Sequence, residues 1–281
     1  MSIVSKKEKI QQRKLPRRND SFFNKLNTAL SYPWRDSPFI LNQFDYEKYW
    51  KELWREDVVV TSLYKYKLTL TAKIIEPGSS ILDLGCGDGR LLKYLKETRN
   101  IEAHGVEFSR AAAEQAKANG LDVTITDLTQ FSITAGLEYD YIILSEVIEH
   151  LSRPEDLLQK LHSKFKQNII ISIPNSGFIL DRLRLLIGRF PRQWGWHPSE
   201  HLRFWTVPDF LFWCQRLGYR VDKFYGLKDE YYDIKLPLWK WYPRLFARHI
   251  LYQLSSNQTD NANDNLLMSD STNGLTGKRG A

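Results

Sequence analysis

The sequence predicts an α/β fold in which a parallel sheet is covered by helices on both faces. From residue 81 to residue 225, short apolar segments alternate with segments whose apolar residues recur at helical spacing. A turn of three glycines, Gly85, Gly87 and Gly89, joins the first apolar segment to the first helical one. Strands and helices that alternate in this way form parallel strand–helix–strand units, and such sheets are buried on both faces.

The individual elements follow from local signals along the chain. Ser109 and Pro154 mark helix starts and Gly218 marks a helix end, because these residue types suit those positions. Residues 46–75 carry aromatic and apolar side chains at helical spacing, which predicts a helical cap over the ligand site. The predicted strands are residues 81–84, 101–106, 121–125, 139–144, 168–173 and 219–225, and the predicted helices between them are residues 111–118, 154–165, 178–187 and 208–217.

The two ends of the chain differ in composition from its centre. Residues 1–18 hold seven Lys or Arg and one acidic residue, so most of the net charge of +7 lies there. Polar composition at the far end predicts disorder. We therefore expect a basic flexible arm over residues 1–36, a helical cap over 37–76, a ligand-binding domain over 77–236 with an insert at 175–206, an aromatic and basic helix over 237–254, and a disordered tail over 255–281.

The composition also indicates the cellular compartment in which the protein is expected. A chain of 281 residues with 42% hydrophobic residues can bury a sizeable core. We expect neither a membrane span nor a secretory signal, and we expect Cys86 and Cys214 to be free thiols. These expectations favour a cytoplasmic protein. Peripheral membrane contact through the basic arm or the C-terminal helix stays open.

The glycine turn indicates a particular class of ligand. A dinucleotide-binding turn has its third glycine one position later, where this chain has Arg90. Asp83 ends the strand ahead of the turn, and a carboxylate there favours an ammonium group over a phosphate. The sequence therefore predicts a ligand with a cationic group and argues against a nicotinamide dinucleotide.

Acidic residues also follow the next two predicted strands. Glu107 lies 22 positions after Gly85, near the roughly 20 expected of a carboxylate that binds ribose hydroxyls. Asp127 and Leu128 follow the third strand, where a side chain and a backbone N–H suit an adenine edge. These positions favour a nucleoside as part of the ligand.

Over about residues 46–225, these segments resemble class I S-adenosylmethionine-dependent methyltransferases. The resemblance implies a Rossmann-like, doubly wound sheet of seven strands, mostly parallel with one antiparallel strand, for which residues 231–236 are the candidate. It implies S-adenosylmethionine as the cofactor. Its methionine part is then held by Asp83, Gly85, Gly87 and Gly89, its ribose by Glu107 and its adenine by Asp127 and Leu128, while Glu146 also joins the cofactor site.

Candidate catalytic residues follow the fourth strand, where open parallel sheets present their ligand crevice. Glu149 and His150 are adjacent there. Methyl transfer from a sulfonium mainly requires a positioned acceptor and, for a hydroxyl, a group that takes its proton. His150 is the side chain best suited to that task near neutral pH. The first hypothesis is therefore metal-free methyl transfer, most readily to oxygen, on a small-molecule or lipid-linked acceptor.

A second hypothesis adds a divalent metal at four residues. Glu146, Glu149 and His150 follow a Glu-x-x-Glu-His spacing, and His201 arrives from the insert. Two carboxylates and two imidazoles suit Mg²⁺ or Mn²⁺. The pattern resembles the metal site of small-RNA 3′-terminal 2′-O-methyltransferases, and ubiquinone-pathway O-methyltransferases carry a similar turn. This resemblance implies RNA as an alternative acceptor.

A third hypothesis makes the chain a non-catalytic accessory protein. Residues 188–201 form a long connection of the kind that serves as a lid or binding segment. Together with Asn175, Gly177, Arg182 and Arg184, this stretch resembles a methyltransferase-like protein of methionine biosynthesis that acts through a partner acyltransferase. The resemblance implies a protein that binds S-adenosylmethionine without catalysing the transfer itself.

Overall fold

The structure of the chain is a computed structural model that describes residues 31, 45–53, 62–191, 200–227 and 237–257. The predicted strand at residues 231–236 lies outside the described residues. So do nearly all of the predicted arm and tail, and the centre of the predicted insert. Among the residues described, no helix has the length and apolar content needed to cross a membrane.

A seven-stranded sheet forms the centre of the described part of the chain. Its strands lie in the order β3-β2-β1-β4-β5-β7-β6. Only β7 runs antiparallel to its neighbours, which confirms the predicted topology. The strand order reverses between β1 and β4, and ligands of open α/β sheets bind at such a point. The strands are β1 (Ser80–Leu84), β2 (Glu102–Glu107), β3 (Asp122–Ile125), β4 (Tyr139–Ser145), β5 (Phe165–Pro174), β6 (Tyr219–Gly226) and β7 (His249–Ser256).

Helices cover both faces of this sheet. The Ser109 hydroxyl accepts a hydrogen bond from the Ala112 N–H, and Pro154 lies in the first turn of its helix, as predicted. A single 3-10 turn, Ile148–His150, follows β4. The helices are α1 (Tyr46–Leu53), α2 (Ser62–Ile74), α3 (Arg90–Arg99), α4 (Arg110–Ala118), α5 (Pro154–Leu161), α6 (Ile179–Leu186), α7 (Val207–Arg216), α8 (Leu238–Trp241) and α9 (Pro243–Phe246).

The core consists of two apolar layers, one on each face of the sheet. Leu82 and Leu84 of β1 belong to the layer that contains buried side chains of α5 and α7. Ile81 belongs to the opposite layer, with buried side chains of α2, α3 and α4. Successive residues of a strand point to opposite faces, so a strand buried on both faces is continuously apolar. This arrangement fixes the carboxyl ends of β1, β2 and β4 at one edge of the sheet.

The structure differs from the predicted single helix over residues 237–254. Two short helices are followed by β7, which lies between β5 and β6. Pro243 lacks an N–H and begins a new helix, so one continuous helix cannot form. Ile250 and Tyr252 face one core layer and Leu251 the other, which is the period of a strand. The sheet therefore extends to Ser256, past the predicted start of the tail, and β7 supplies the antiparallel strand that was assigned to residues 231–236.

Candidate active site at the carboxyl edge of the sheet

The turn after β1 is closely packed against neighbouring side chains, which is possible because its three glycines lack side chains. Gly85, Gly87 and Gly89 have φ angles of 82°, 56° and 75°, in the left-handed region that favours glycine. A Cβ atom at Gly85 would lie 2.5 Å from Cγ2 of Val147. A Cβ atom at Gly87 would lie 2.9 Å from the indole of Trp50, so the cap helix α1 packs directly on the turn.

Asp83 lies at the end of β1 beside this turn. Its side chain is buried, and Oδ1 has no hydrogen-bond partner within the described residues. Burial and the nearby Glu107 carboxylate raise the pKa of Asp83 to about 7, while Lys67 acts in the opposite direction. A buried carboxylate with an unsatisfied oxygen is costly in the free protein. An ammonium group of a ligand would satisfy it.

Glu107, at the end of β2, holds the turn in place. Its Oε2 accepts a hydrogen bond from the Gly87 N–H, and its Oε1 accepts one from the Ser109 N–H, both at 2.8 Å. Burial raises the pKa of Glu107, although these hydrogen bonds act to lower it. Each carboxylate oxygen has a second lone pair that can accept a ribose hydroxyl. The structural role of Glu107 was not predicted from the sequence.

Asp127 and Leu128 lie just beyond β3, as predicted, but their side chains differ in exposure. Oδ1 of Asp127 accepts hydrogen bonds from the N–H and the hydroxyl of Thr129, at 2.7 and 2.8 Å. Asp127 is partly exposed, whereas the Leu128 side chain is buried in the core. Asp127 therefore fixes the turn after β3, while Leu128 belongs to the core beneath it.

Glu146 leaves β4 with a φ of 56°, an uncommon conformation for a residue other than glycine. Its Oε1 accepts a hydrogen bond from the Ser172 hydroxyl at 2.8 Å and lies 3.9 Å from Nζ of Lys67. Its Oε2 lies 3.7 Å from Nε2 of His249. Burial would raise the pKa of Glu146, but His249, Lys67 and Ser172 together hold it below its usual value. The ionised form of Glu146 is therefore favoured by these three neighbours.

Glu149 lies in the 3-10 turn and is 1% exposed. Neither of its carboxylate oxygens has a hydrogen-bond partner within the described residues. Burial, with the nearby Glu146 carboxylate as the second cause, raises the pKa of Glu149 well above its usual value. A buried carboxyl group without partners is rare in folded proteins. A bound cation would satisfy these oxygens.

His150, the next residue, is oriented by a backbone carbonyl. Its Nδ1 lies 2.6 Å from the Glu200 oxygen and 3.1 Å from the Tyr46 hydroxyl. Because a carbonyl can only accept, Nδ1 carries the proton, and Nε2 of the neutral ring keeps its lone pair. That Nε2 lies 3.9 Å from Oε1 of Glu149. Burial lowers the pKa of His150, which keeps the ring neutral.

His201 completes the group from a distant part of the chain. Its ring centroid lies 4.7 Å from that of His150. Burial and the neighbouring His150 lower the pKa of His201 to about 4, so this ring is neutral as well. One potential metal-binding atom each from Glu149, His150 and His201 lies within 4.8 Å of the others. Glu146, the fourth predicted ligand, is not part of this group, although its carboxylate is close enough to raise the pKa of Glu149.

Two residues of the site were missed by the sequence analysis. Lys67 of α2 is buried, and its Nζ donates to the Ser145 hydroxyl at 2.8 Å. Lys67 shares the helical phase of buried Leu70 and Thr71, and a lysine in such a stripe was an available signal. His249 begins β7, and its position depends on a strand that was predicted as helix.

The residues of the stretch after β5 have structural contacts. The Asn175 side chain donates to the Ala247 carbonyl at 2.8 Å and accepts from the Gly177 N–H at 2.9 Å. Nε of Arg182 donates to the Gly177 carbonyl at 2.7 Å, and Arg184 is buried. These contacts join the start of α6 to the segment between α9 and β7.

Comparison with known proteins gives a family and a fold. The family model described as methionine biosynthesis protein MetW matches residues 65–254, about two thirds of the chain. A bifunctional methionine biosynthesis protein MetXA/MetW from Rhodopirellula baltica is 31% identical over 169 residues, 54% of this chain and 26% of that protein. The small RNA 2′-O-methyltransferase of Schizosaccharomyces pombe is 28% identical over 175 residues, 53% of this chain and 46% of that protein.

Among solved structures, an S-adenosylmethionine-dependent methyltransferase from Archaeoglobus fulgidus matches with a TM-score of 0.53 at 20% identity. The match covers 75% of this chain and 100% of that one, and it shows the fold. The matches to the two named relatives each span less than half the length of the relative.

Proposed function

Because the chain belongs to the MetW family and has the class I S-adenosylmethionine-dependent methyltransferase fold, we propose that it methylates a hydroxyl oxygen. The observation that carries this proposal is the cluster of Glu149, His150 and His201 at the end of β4. It offers a buried carboxyl group, whose oxygens make no hydrogen bond within the described residues, and two neutral imidazoles beside the proposed cofactor crevice. The acceptor that suits such a cluster is a hydroxyl compound, either a small molecule or a lipid-linked one.

The cofactor residues support this proposal. S-adenosylmethionine supplies an activated methyl group on a sulfonium. Its ammonium fits the unsatisfied oxygen of Asp83, and its ribose diol fits the remaining lone pairs of Glu107. The turn that would hold the methionine part has positive φ angles at Gly85, Gly87 and Gly89, a conformation that favours glycine. Asp127 and Leu128 would flank the adenine.

The cluster itself fits a divalent cation such as Mg²⁺ or Mn²⁺, which favours the metal-assisted hypothesis over the metal-free one. Glu149, His150 and His201 would be its protein ligands. A cation bound there would lower the pKa of a bound hydroxyl and orient it. The Glu200 carbonyl orients His150, because it fixes the proton on Nδ1 and leaves Nε2 as the ligand atom. Lys67 and His249 keep Glu146 ionised beside the cluster.

Metal affinity and methyl transfer together test the proposal. We expect Mn²⁺ to bind the wild-type chain in calorimetry and Glu149→Gln and His201→Ala to lose most of that affinity. His104→Ala is the matched control, because His104 bonds Asp122 on a different strand. Methyl transfer from labelled S-adenosylmethionine to hydroxyl acceptors should stop with a chelator and return with Mn²⁺. Chelator-insensitive transfer together with unchanged Mn²⁺ affinity in both variants would contradict the proposal.

The S. pombe relative supports RNA as a second acceptor class, because its name gives small RNA 2′-O-methylation as its activity. For this chain, the substrate would be the terminal 2′-hydroxyl of an RNA oligonucleotide. A terminal 2′-deoxy oligonucleotide is the matched control. Labelling of the first oligonucleotide and not of the second would support the RNA acceptor.

The R. baltica relative supports the accessory role, because its name assigns it to methionine biosynthesis. An accessory protein would still bind S-adenosylmethionine but would not need the cluster. In a host that depends on this chain for methionine, Asp83→Asn would then abolish growth without added methionine, while Glu149→Gln would leave it unchanged. Equal loss with both variants would favour the enzyme.

A further inference from the structure

Helix α6 is oriented with charged residues towards the protein and leucines towards solvent. Asp181 is 0% exposed and Arg184 is 2% exposed. These two residues are three positions apart and therefore share a helix face. In contrast, Leu185 is 51% exposed and Leu186 is 81% exposed. A surface helix normally buries its apolar stripe and exposes its charges, so α6 has the reverse of the usual arrangement.

Four exposed aliphatic residues lie close together in sequence at the end of α6, and we name them the α6 apolar surface: Leu183, Leu185, Leu186 and Ile187. The buried Arg184 anchors this end of the helix, because its Nε donates to the Phe190 carbonyl at 2.8 Å. Four aliphatic side chains at one helix end are more than the scattered exposed residues of an ordinary surface. Such a patch usually marks a contact with a partner or a membrane.

The exposed charges of residues 179–191 are basic. Asp181 is the only acidic residue between residues 179 and 191, and it is buried. Arg182 is exposed and Arg189 is partly exposed. An aliphatic surface bordered by arginines is complementary to an anionic bilayer, where the arginines meet phosphates and the leucines enter the acyl boundary. The centres of protein interfaces instead favour Trp, Tyr and Arg over Leu.

The position of α6 in the chain relates this surface to the candidate active site. The helix belongs to the connection that leaves the carboxyl end of β5 and returns as His201. The α6 apolar surface is therefore on the connection that also delivers a residue of the Glu149 cluster. We propose that the α6 apolar surface docks the chain on an anionic lipid bilayer, so that the cofactor crevice opens next to the lipid headgroups. This docking does not depend on which group the chain methylates.

Vesicle binding tests the proposal directly. We expect the full chain to sediment with vesicles that contain phosphatidylglycerol, more weakly as salt increases, and less with phosphatidylcholine alone. The double variant Leu185→Glu/Leu186→Glu should bind at least about tenfold more weakly, since two leucines no longer enter the bilayer. Leu137→Glu is the matched control and should bind like wild type. Leu137 is 44% exposed and precedes β4, at the opposite edge of the sheet.

A second measurement locates the contact. Cys86 and Cys214 are buried, so Leu186→Cys can be labelled selectively with an environment-sensitive fluorophore. Its emission should shift to the blue with anionic vesicles, and emission from labelled Leu137→Cys should not. The proposal is overturned if wild type does not bind vesicles, or if the double variant binds as well as wild type. Self-association that the double variant abolishes, without vesicle binding, would overturn it in favour of a protein interface.

Discussion

Replacement of Asp83 by asparagine should stabilise the free protein and weaken cofactor binding. Asp83 is buried at the end of β1, and burial together with Glu107 raises its pKa to about 7 from a usual 3.8. The folded chain therefore holds a proton on Asp83 that the unfolded chain has released between about pH 4 and pH 7. The contribution of Asp83 to the free energy of unfolding is most favourable below pH 4 and is lost as the pH rises through about 7.

The magnitude follows from the difference in pKa. One pKa unit corresponds to about 1.4 kcal/mol, so the ionised Asp83 costs the free protein about 4 kcal/mol above pH 7. Asparagine has no charge, but its buried amide costs about 1–3 kcal/mol where it lacks partners. Asp83→Asn should therefore raise the free energy of unfolding by about 1–3 kcal/mol at pH 8 and not at pH 4. A substitution that removes a binding group is expected to stabilise the free protein.

Cofactor affinity should change in the opposite direction. Removing one partner of a buried charge pair costs about 2–5 kcal/mol, so S-adenosylmethionine should bind at least about thirtyfold more weakly to Asp83→Asn. Adenosine, which lacks the ammonium, should bind both chains equally. Urea unfolding at pH 4 and pH 8 and calorimetry with both ligands measure these effects. A less stable variant at pH 8, or an equal loss of adenosine affinity, would refute the reasoning.

Three other substitutions probe the surroundings of the site. Gly85→Ala should lower the free energy of unfolding by at least about 1 kcal/mol, because φ is +82° and the new methyl group would meet Val147. In thermal unfolding, the double variant Gly85→Ala/Val147→Ala should recover only part of this loss, because the unfavourable φ remains. Lys67→Met should destabilise the chain by about 1–2 kcal/mol at pH 8 and by less at pH 4, where the neighbouring Asp83 is protonated and no longer attracts the lysine, as urea unfolding at both pH values would show. The Glu47 carboxylate accepts hydrogen bonds from the first N–H groups of α4, so Glu47→Ala should lower the free energy of unfolding in urea by about 1 kcal/mol. Glu97→Ala is the control, because Glu97 is exposed.

The central sheet could be predicted because its signals are local. β1, β4 and β5 are largely apolar segments, and two of the helices begin at local start signals, Ser109 for α4 and Pro154 for α5. Asp83 and Glu107 end two of these strands, and the parallel sheet brings strand ends to one edge. A strand-end residue is therefore placed by topology alone. For this reason the sequence is sufficient to predict where the expected cofactor residues lie.

The remainder of the site depends on contacts between distant segments. Lys67 reaches Glu146 from α2, and His249 reaches it from β7. No local pattern joins such residues, and the C-terminal segment has aromatic and basic residues that suit a helix as well as a strand. His201 could be proposed only by resemblance, because its contact with His150 depends on a long connection. Orientation details, such as the carbonyl that fixes His150, have no sequence signal at all.

The charge balance of the crevice bears on the acceptor. Asp83, Glu107, Glu146 and Glu149 place four carboxyl groups around it, while Lys67 is a buried cation beside them. The cofactor, whose sulfonium and ammonium outweigh its single carboxylate, would together with a divalent cation at Glu149 add net positive charge there. A neutral hydroxyl adds nothing to this balance, whereas an RNA phosphate adds negative charge and needs basic residues to hold it. Most of the net positive charge lies in residues 1–18, so a neutral acceptor fits the crevice itself better than an RNA end.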